Sequence, residues 1–396
     1  MHLNRSPPSS QSWSHAMSKH SASWAGVGVL LLACAAHAQV TPTVNDLTYA
    51  VAPLDAGGTI TLHMDLYLPA DPSGPAPIMV FVHGGGWQGG TYQNVPPHTS
   101  AFLAQGVAVA SVQYRLSQQA IFPAQIHDVK GAIRFLRANA AQYNLNPARI
   151  GVWGASAGGH LAAHSGTSSG VAEAEGATGG NLAFAGPVQA VVDHFGPTDL
   201  LHMQLDVTTP PGSAFNHDDP SSPESKLIGF AGPGQGIGVL RANQNNPDPP
   251  FPEKIALITL ADPIMHVTPD DPPFLIVHGT ADNIVPLAQS TKLRNALAPA
   301  GVPVTCVEVV GAGHGGFPQS VQLQSLQFML SHLLAPPPSL PADLDGDCDV
   351  DSTDLNLLLS DFGCAGAGCT GDIDGDGDAD STDLNVLLAS FGQTCS

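Results

Sequence analysis

A chain of 396 residues, 43% of them hydrophobic, is long enough for one large core and a small additional domain. Its 33 acidic residues outnumber its 12 Lys and Arg residues, and the formal net charge is −21 at pH 7. This excess of acidic residues argues against a protein that binds nucleic acid or anionic lipid through positive charge. The acidity is local, because residues 335–396 hold 13 Asp and no Lys or Arg.

The N-terminus has the pattern of a secretory signal peptide. Lys19 precedes the apolar stretch WAGVGVLLLACAA, which is short for a membrane span and runs into the small-x-small sequence AHA at 36–38. We therefore predict that residues 1–38 are cleaved and that the protein is secreted, to the periplasm, cell surface or medium. Lipidation at Cys34 is the alternative reading of the same stretch.

Strand-like segments recur through residues 39–334. The segment TITLHMDLYL alternates apolar and polar residues, which predicts a half-buried antiparallel strand. Six shorter, almost wholly apolar segments are typical of strands covered on both faces. They occupy residues 78–82, 107–112, 150–153, 188–192, 274–277 and 304–310.

Helical spacing appears between the strand-like segments. A predicted helix has one apolar face, formed by Ile126, Val129, Ile133 and Leu136. Its basic residues are expected to face solvent; they are Lys130, Arg134 and Arg137. Residues 321–334 have a similar apolar stripe. Strands that alternate with helices predict an α/β fold, a mostly parallel sheet wrapped by helices.

Two glycine-rich loops follow predicted strands, at the sheet edge where α/β proteins bind ligands. In the loop HGGGW, Gly85 and Gly86 can direct backbone N–H groups at a developing oxyanion. In GASAG, Ser156 occupies the nucleophile position of a G-x-S-x-G elbow, a strained turn from strand to helix. The N–H of Ala157 would complete the oxyanion hole.

Two further strand ends carry the remaining residues of a predicted catalytic triad. Asp282 follows the strand in FLIVHG, and His314 follows VTCVEVV. The order Ser, Asp, His is that of the α/β-hydrolase fold. A serine hydroxyl is a weak nucleophile until a histidine takes its proton, and the aspartate orients the imidazole.

Together the motifs FVHGGGW, HDVKGAIRFLR, GVWGASAGGHLA, DHFGPTDL, PPFLIVHGTADNIVP and GAGHGG resemble the α/β-hydrolase family of bifunctional feruloyl and acetyl xylan esterases. The resemblance implies a serine esterase that removes acetyl or feruloyl groups from a xylan-type polysaccharide and needs no cofactor. It assigns Ser156, Asp282 and His314 as the triad. The serine peptidases of the prolyl-oligopeptidase type and a non-catalytic binding protein on a hydrolase scaffold are the alternatives.

Residues 203–262 depart from the family pattern and are predicted to form a lid or rim, because they are rich in Pro, Gly and Asn. Trp87 and Tyr114 are predicted to lie near the mouth of the substrate pocket, where aromatic rings can stack on a sugar or a hydroxycinnamoyl ring. A linker at 335–341 and a second domain at 342–396 are expected to follow the esterase domain.

The second domain contains one unit written twice, 29 residues apart: DLDGDCDVDSTDLNLLLSDFG and DIDGDGDADSTDLNVLLASFG. The spacing of its aspartates is that of a 12-residue calcium loop followed by a helix. The predicted ligands, with Asp349 and Asp378 acting through backbone carbonyls, are Asp343, Asp345, Asp347, Asp349, Asp351, Asp354, Asp372, Asp374, Asp376, Asp378, Asp380 and Asp383.

This doubled loop and helix resembles a type I dockerin, a small all-α module, which implies calcium-dependent docking to a cohesin-like scaffold or cell-surface protein. Cys348 departs from the pattern because it replaces the turn glycine that the second copy keeps as Gly377. Four cysteines fall in this domain and predict one or two disulfides, with the pairing left open. They are Cys348, Cys364, Cys369 and Cys395.

Overall fold

The computed structural model describes residues 40–70, 72, 74–334, 340–345, 349–366 and 369–393. The predicted signal peptide, most of the linker, Asp347, Cys348 and Cys395 lie outside these residues. Within the described part of the chain, no helix is both long and apolar enough to cross a membrane.

An eight-stranded sheet forms the centre of residues 40–334, with the order β1-β2-β4-β3-β5-β6-β7-β8. The strands are β1 (Val44–Pro53), β2 (Thr59–Tyr67), β3 (Ala76–Val82), β4 (Ala108–Val112), β5 (Leu145–Ala155), β6 (Ala190–His194), β7 (Phe274–Gly279) and β8 (Val304–Val309). Only β2 runs against its neighbours, and all other neighbouring pairs are parallel. The predicted α/β-hydrolase fold is confirmed, as is each predicted strand.

Strand β1 was not predicted. Its pairing with β2 contains two register shifts, which break the strict alternation that sequence analysis relies on.

Helices cover both faces of this sheet. They are α1 (Thr99–Ala104), α2 (Ala124–Ala138), α3 (Ala140–Tyr143), α4 (Ala157–Thr167), α5 (Ala172–Glu175), α6 (Pro223–Leu227), α7 (Ile237–Ala242), α8 (Phe251–Ala261), α9 (Ala288–Ala300) and α10 (Gln319–Leu334). Helices α2, α4 and α9 pack on one face, and α1 and α10 pack on the other.

The central strands consist almost wholly of apolar residues because both faces of the sheet are buried there. Along β3, Ile78 and Val80 belong to the core cluster on the α2 and α4 side, whereas Met79 belongs to the cluster on the α10 side. A central strand therefore has no solvent-facing positions, and polar residues are confined to its ends.

Lys130 and Arg134 of α2 are buried, so the expectation that these two residues face solvent was wrong, whereas Arg137 is half-buried. Arg134 is 1% exposed and pairs with Glu175, while Lys130 lies 3.0 Å from the same carboxylate. Arg134 also donates to the carbonyl of Thr178. These cations hold α5 and the turn that follows it against α2. Helical periodicity carries no signal for such a tertiary partner.

The C-terminal region, residues 340–345, 349–366 and 369–393, contains α11 (Ser352–Asp361) and α12 (Ser381–Ser390). The two copies of the repeat are joined reciprocally. The N–H of Gly363 donates to Ala379 over 2.7 Å, and the N–H of Gly392, 29 positions later, donates to Val350 over 2.8 Å. Buried Val350 and Leu358 share a small core with Leu387.

A disulfide joins Cys364 to Cys369. Cys306, in β8, is unpaired and half-buried.

Candidate active site

Ser156 stands on the turn between β5 and α4. Its φ of 57° and ψ of −124° are sterically unfavourable for a residue with a Cβ. The flanking glycines allow the close approaches that this turn requires, since a Cβ on Gly154 would lie 2.0 Å from the carbonyl oxygen of Gly158. The neighbouring backbone thus holds Ser156 in its strained conformation.

The three residues predicted as a triad form one hydrogen-bonded chain. The Ser156 Oγ lies 2.9 Å from Nε2 of His314, and Nδ1 of His314 lies 2.7 Å from Oδ2 of Asp282. Since a carboxylate only accepts, Nδ1 carries the proton and Nε2 is free to accept the serine proton. This is the geometry required for nucleophilic catalysis.

The Asp282 carboxylate is held in its charged form. Burial by itself raises the pKa of Asp282, but hydrogen bonds from His278 and His314 outweigh it and bring the pKa below its usual value. The N–H groups of Ile284 and Val285 donate to the other oxygen, Oδ1, over 2.8 and 3.0 Å. An ionised, fixed aspartate can stabilise the imidazolium that forms when His314 is protonated.

Two contacts to the triad were missed by sequence reasoning. His278, the penultimate residue of β7, lies 3.3 Å from Asp282 and is also hydrogen-bonded to Ser290. The ring of Phe195 packs against that of His314, with 4.4 Å between centroids. The motifs FLIVHG and DHFG contain both residues. The role of Phe195 depends on the packing of neighbouring strand ends, and that of His278 on the path of the chain from β7 to Asp282 four residues later.

The glycine loop after β3 lies directly against the elbow. A Cβ on Gly84 would be 3.3 Å from that of Ser156. Gly85, Gly86 and Ala157 line the same cavity as Ser156. Among the groups that the structure describes, their backbone N–H groups have no hydrogen-bond acceptor. Unpaired N–H donors beside a nucleophile are suited to binding an oxyanion.

The cavity above Ser156 has a volume of about 440 Å³. The strand-end loops supply one wall. The segment 203–262, which was predicted to be a lid or rim, supplies another wall with Met203, Phe215, His217, Pro223 and Glu224. The wall is mostly apolar, so a few polar groups determine which ligands are held well.

The structure separates the two predicted aromatic pocket residues. Trp87 lines the cavity, but its indole N–H donates to Nδ1 of His160 over 3.2 Å, which fixes the ring in the wall. The prediction that Tyr114 lies near the mouth of the pocket was wrong. It is 1% exposed, it does not line the cavity, and its hydroxyl donates to the backbone carbonyl of His83, on whose ring it stacks. Tyr114 therefore packs against the glycine loop, where its ring stacks on His83 and its hydroxyl has a hydrogen-bond acceptor.

The BD-FAE family model matches residues 64–297, which is more than half of the chain. The chain belongs to the BD-FAE family. The match contains the glycine loop, the elbow and Asp282, and His314 lies beyond it. Family membership thus agrees with the motifs that carry the predicted esterase site.

Named relatives of this BD-FAE chain are esterases. Esterase LipC of Mycobacterium tuberculosis is 31% identical over 250 residues, which are 62% of this chain and 54% of that protein. Esterase LipQ of the same organism is 29% identical over 292 residues, which are 73% of this chain and 61% of that protein. The matched regions thus span less than two thirds of these relatives.

A solved structure, described as a truncated form of a carbohydrate esterase from gut microbiota, is 34% identical. It matches with a TM-score of 0.59 over 73% of this chain and 95% of that chain.

The C-terminal region lies outside the family match. Among its described residues, aspartates form four clusters, in each of which the carboxylate oxygens lie within 4.8 Å of one another. The clusters are Asp343, Asp345 and Asp354; Asp349, Asp351 and Asp354; Asp372, Asp374 and Asp383; and Asp378, Asp380 and Asp383. Thus Asp349 and Asp378, predicted to contribute only backbone carbonyls, place their carboxylates in the clusters. Asp376 is in none of them and accepts the N–H of Asp378.

These donors fit a calcium ion, which prefers carboxylate and carbonyl oxygens. In the second loop the negative charge of Asp376 raises the pKa of Asp378, so the carboxylates repel one another. The Oδ1 of Asp378 is buried and has no hydrogen-bond partner among the described residues. A divalent cation would relieve both conditions, and Asp378, Asp380 and Asp383 would hold it.

Proposed function

We propose that this protein is a serine esterase that hydrolyses carboxylic esters through an acyl-enzyme. The observation that carries the proposal is the chain Ser156–His314–Asp282, which opens into a cavity beside three unpaired N–H donors. Its family membership and the names of its relatives support the same chemistry.

The reaction follows from the positions of these groups. The Ser156 Oγ attacks the ester carbonyl carbon while Nε2 of His314 takes its proton, and Asp282 stabilises the resulting imidazolium. The N–H groups of Gly85, Gly86 and Ala157 stabilise the oxyanion of the tetrahedral intermediate. His314 then gives the proton to the leaving alcohol. A water molecule, deprotonated by His314, attacks the acyl carbon, and the bond to the Ser156 Oγ breaks as His314 returns the proton to that oxygen and the acid leaves.

The substrate we propose is an acetylated or feruloylated plant polysaccharide of the xylan type. Two observations support it: the resemblance of the motifs, and the 34% identity to a protein described as a carbohydrate esterase. The cavity of about 440 Å³ is large enough for a hydroxycinnamoyl group as well as an acetyl group.

Measuring the acids released from plant cell-wall xylan by the purified protein tests this substrate. We expect acetate, ferulate or both to accumulate with enzyme-dependent rates. A protein that cleaves 4-nitrophenyl acetate but releases neither acid from xylan would remain an esterase with a different natural substrate.

We further propose that the protein is exported and that residues 342–396 bind two calcium ions and dock to a cohesin-like scaffold or surface protein. The signal-peptide pattern of residues 1–38 supports export. The repeated aspartate clusters and the buried, unpartnered oxygen of Asp378 support calcium binding.

Calorimetric titration of the calcium-free full chain should show two calcium ions per chain. Asp383→Asn should remove one of them, because Asp383 belongs to both clusters of the second loop. Asp270→Asn, an exposed substitution with the same charge change, should retain both. A calcium-free chain that takes up no calcium, or equal uptake by both variants, would contradict the assignment.

A further inference from the structure

Two ionisable residues of the segment 203–262 reach the wall of the active-site cavity and have no part in the chemistry proposed above. They are His217 and Glu224, and both line the cavity that contains Ser156. Glu224 is the second residue of α6, whose N-terminus is capped by the hydroxyl of Ser222.

Both side chains are buried and fixed. Glu224 is 3% exposed, and Nδ1 of His217 lies 3.2 Å from its Oε1. Because the carboxylate accepts, Nδ1 carries the proton, and Nε2 can accept from the hydroxyl of Ser213, 3.2 Å away. The backbone N–H of His217 donates to Gln204 over 2.8 Å. The imidazole thus holds one oxygen of Glu224 in place.

The other oxygen of Glu224, Oε2, is buried and has no hydrogen-bond partner among the described residues. A buried carboxylate oxygen without a donor is costly, because water that would solvate the charge has been removed. In folded proteins such oxygens are rare and require a specific explanation.

Helix α6 packs against the glycine loop after β3, and this packing fixes the position of Glu224 relative to the reacting atoms. A Cβ on Gly86 would lie 3.5 Å from Cβ of Pro223, the residue before Glu224. The ammonium of Lys226 donates to the side chain of Gln88, on the same loop, over 3.0 Å. The carboxylate is therefore attached to a wall that adjoins the proposed oxyanion hole.

We infer that Glu224 is a specificity-determining residue, whose unpaired carboxylate oxygen accepts a hydrogen bond from a hydroxyl group of the ester substrate. The inference rests on the proposed esterase function. A carboxylate only accepts, so it favours a substrate that places a donor here and disfavours one that places an apolar or anionic group here. A buried acceptor discriminates more strongly than an apolar pocket does, because the wrong substrate leaves it unpaired.

The hydroxyl group can belong to the acyl part of the substrate, as in a hydroxycinnamoyl ester, or to the alcohol part, as in a sugar. Two matched pairs of substrates distinguish these sources. Methyl 4-hydroxycinnamate is compared with methyl cinnamate, and an acetylated methyl xyloside is compared with its deoxy analogue lacking the neighbouring hydroxyl.

In one of the two pairs, the wild-type kcat/KM should favour the hydroxylated member by about 10- to 100-fold, the range of a charge-assisted hydrogen bond. Glu224→Gln and Glu224→Met, which keep the side-chain length, should lower that ratio at least about fivefold. Glu253→Gln removes the same charge from an exposed position of the same segment and should keep the wild-type ratio. Near-equal rates within both wild-type pairs, or a preference that persists in folded Glu224 variants, would overturn the inference.

Failure of the esterase proposal would be visible separately. Hydrolysis of 4-nitrophenyl acetate, which carries no hydroxyl group, tests Ser156 chemistry without involving a hydrogen bond to Glu224. If the wild type cleaves this ester but has nearly equal kcat/KM values within both substrate pairs, only the proposed role of Glu224 is contradicted. No turnover by the wild type would remove the esterase function itself.

Discussion

Replacing Ser156 by alanine is expected to lower kcat for 4-nitrophenyl acetate by about 10⁴- to 10⁶-fold, the range for removing the nucleophile of a Ser-His-Asp triad. The Oγ, 2.9 Å from the base, is the only atom removed. The melting temperature should be unchanged or slightly raised, because a φ of 57° is equally unfavourable for alanine and for serine. Steady-state kinetics and a thermal melt of the same preparation measure both quantities.

Ser331→Ala is the matched control, since Ser331 is an exposed serine of α10. It should retain wild-type kcat and melting temperature. If the Ser156 variant hydrolysed the ester at more than a few per cent of the wild-type rate, another group would have to be the nucleophile. A loss of activity accompanied by unfolding would point to a structural role instead.

The second large effect is expected at Gly158, two residues after the nucleophile. A Cβ at this position would lie 2.0 Å from the carbonyl oxygen of Val82 and 2.7 Å from that of His83. Backbone oxygens of a central strand cannot move aside as a side chain can. We expect Gly158→Ala to lower the free energy of unfolding by about 3 kcal/mol or more, the upper range for overpacking.

The same substitution should also reduce kcat/KM by at least about 100-fold in any protein that still folds. Moving α4 away from β3 displaces both Ser156 and the N–H of Ala157, and a displacement of about 1 Å has this effect on a positioned catalytic group. Urea unfolding and ester hydrolysis measure the two losses.

Gly74→Ala provides the comparison, because nothing lies within 4 Å of a Cβ built at Gly74. It should leave the free energy of unfolding within about 0.5 kcal/mol of the wild type. Equal stability of the Gly74 and Gly158 variants would show that the elbow tolerates separation from β3.

The residues of the candidate site could be predicted in advance because each of them ends a recognisable strand. Apolar segments of four to seven residues marked β3, β5, β7 and β8 in the sequence. The side chains just beyond those segments then had to meet at one edge of a parallel sheet. The order Ser, Asp, His added a constraint that a chance combination of loops would not satisfy.

The residues that were misjudged depend on partners distant in the sequence. Arg134 is polar and has helical spacing, yet it is buried by Glu175 on a segment 41 residues away. Tyr114 follows a strand end, as a pocket residue would, but the backbone of His83 takes its hydroxyl. No local pattern carries this information, because burial of a polar group depends on which other polar groups reach it.

The amino-acid sequence by itself determined the α/β class, the nucleophile elbow, the predicted triad and the two repeated aspartate loops. Each of these rests on spacing within a short segment or on the order of segments. Only the tertiary structure decided that His278 supports Asp282, that Phe195 packs on His314, and that Glu224 lies in the cavity wall with one oxygen unpaired. The contact of Phe195 with His314 and the place of Glu224 in the cavity wall join segments that are far apart in the chain, and they exist only after the sheet order has brought those segments together. His278 lies only four residues before Asp282, and their contact depends on the path of the chain beyond β7.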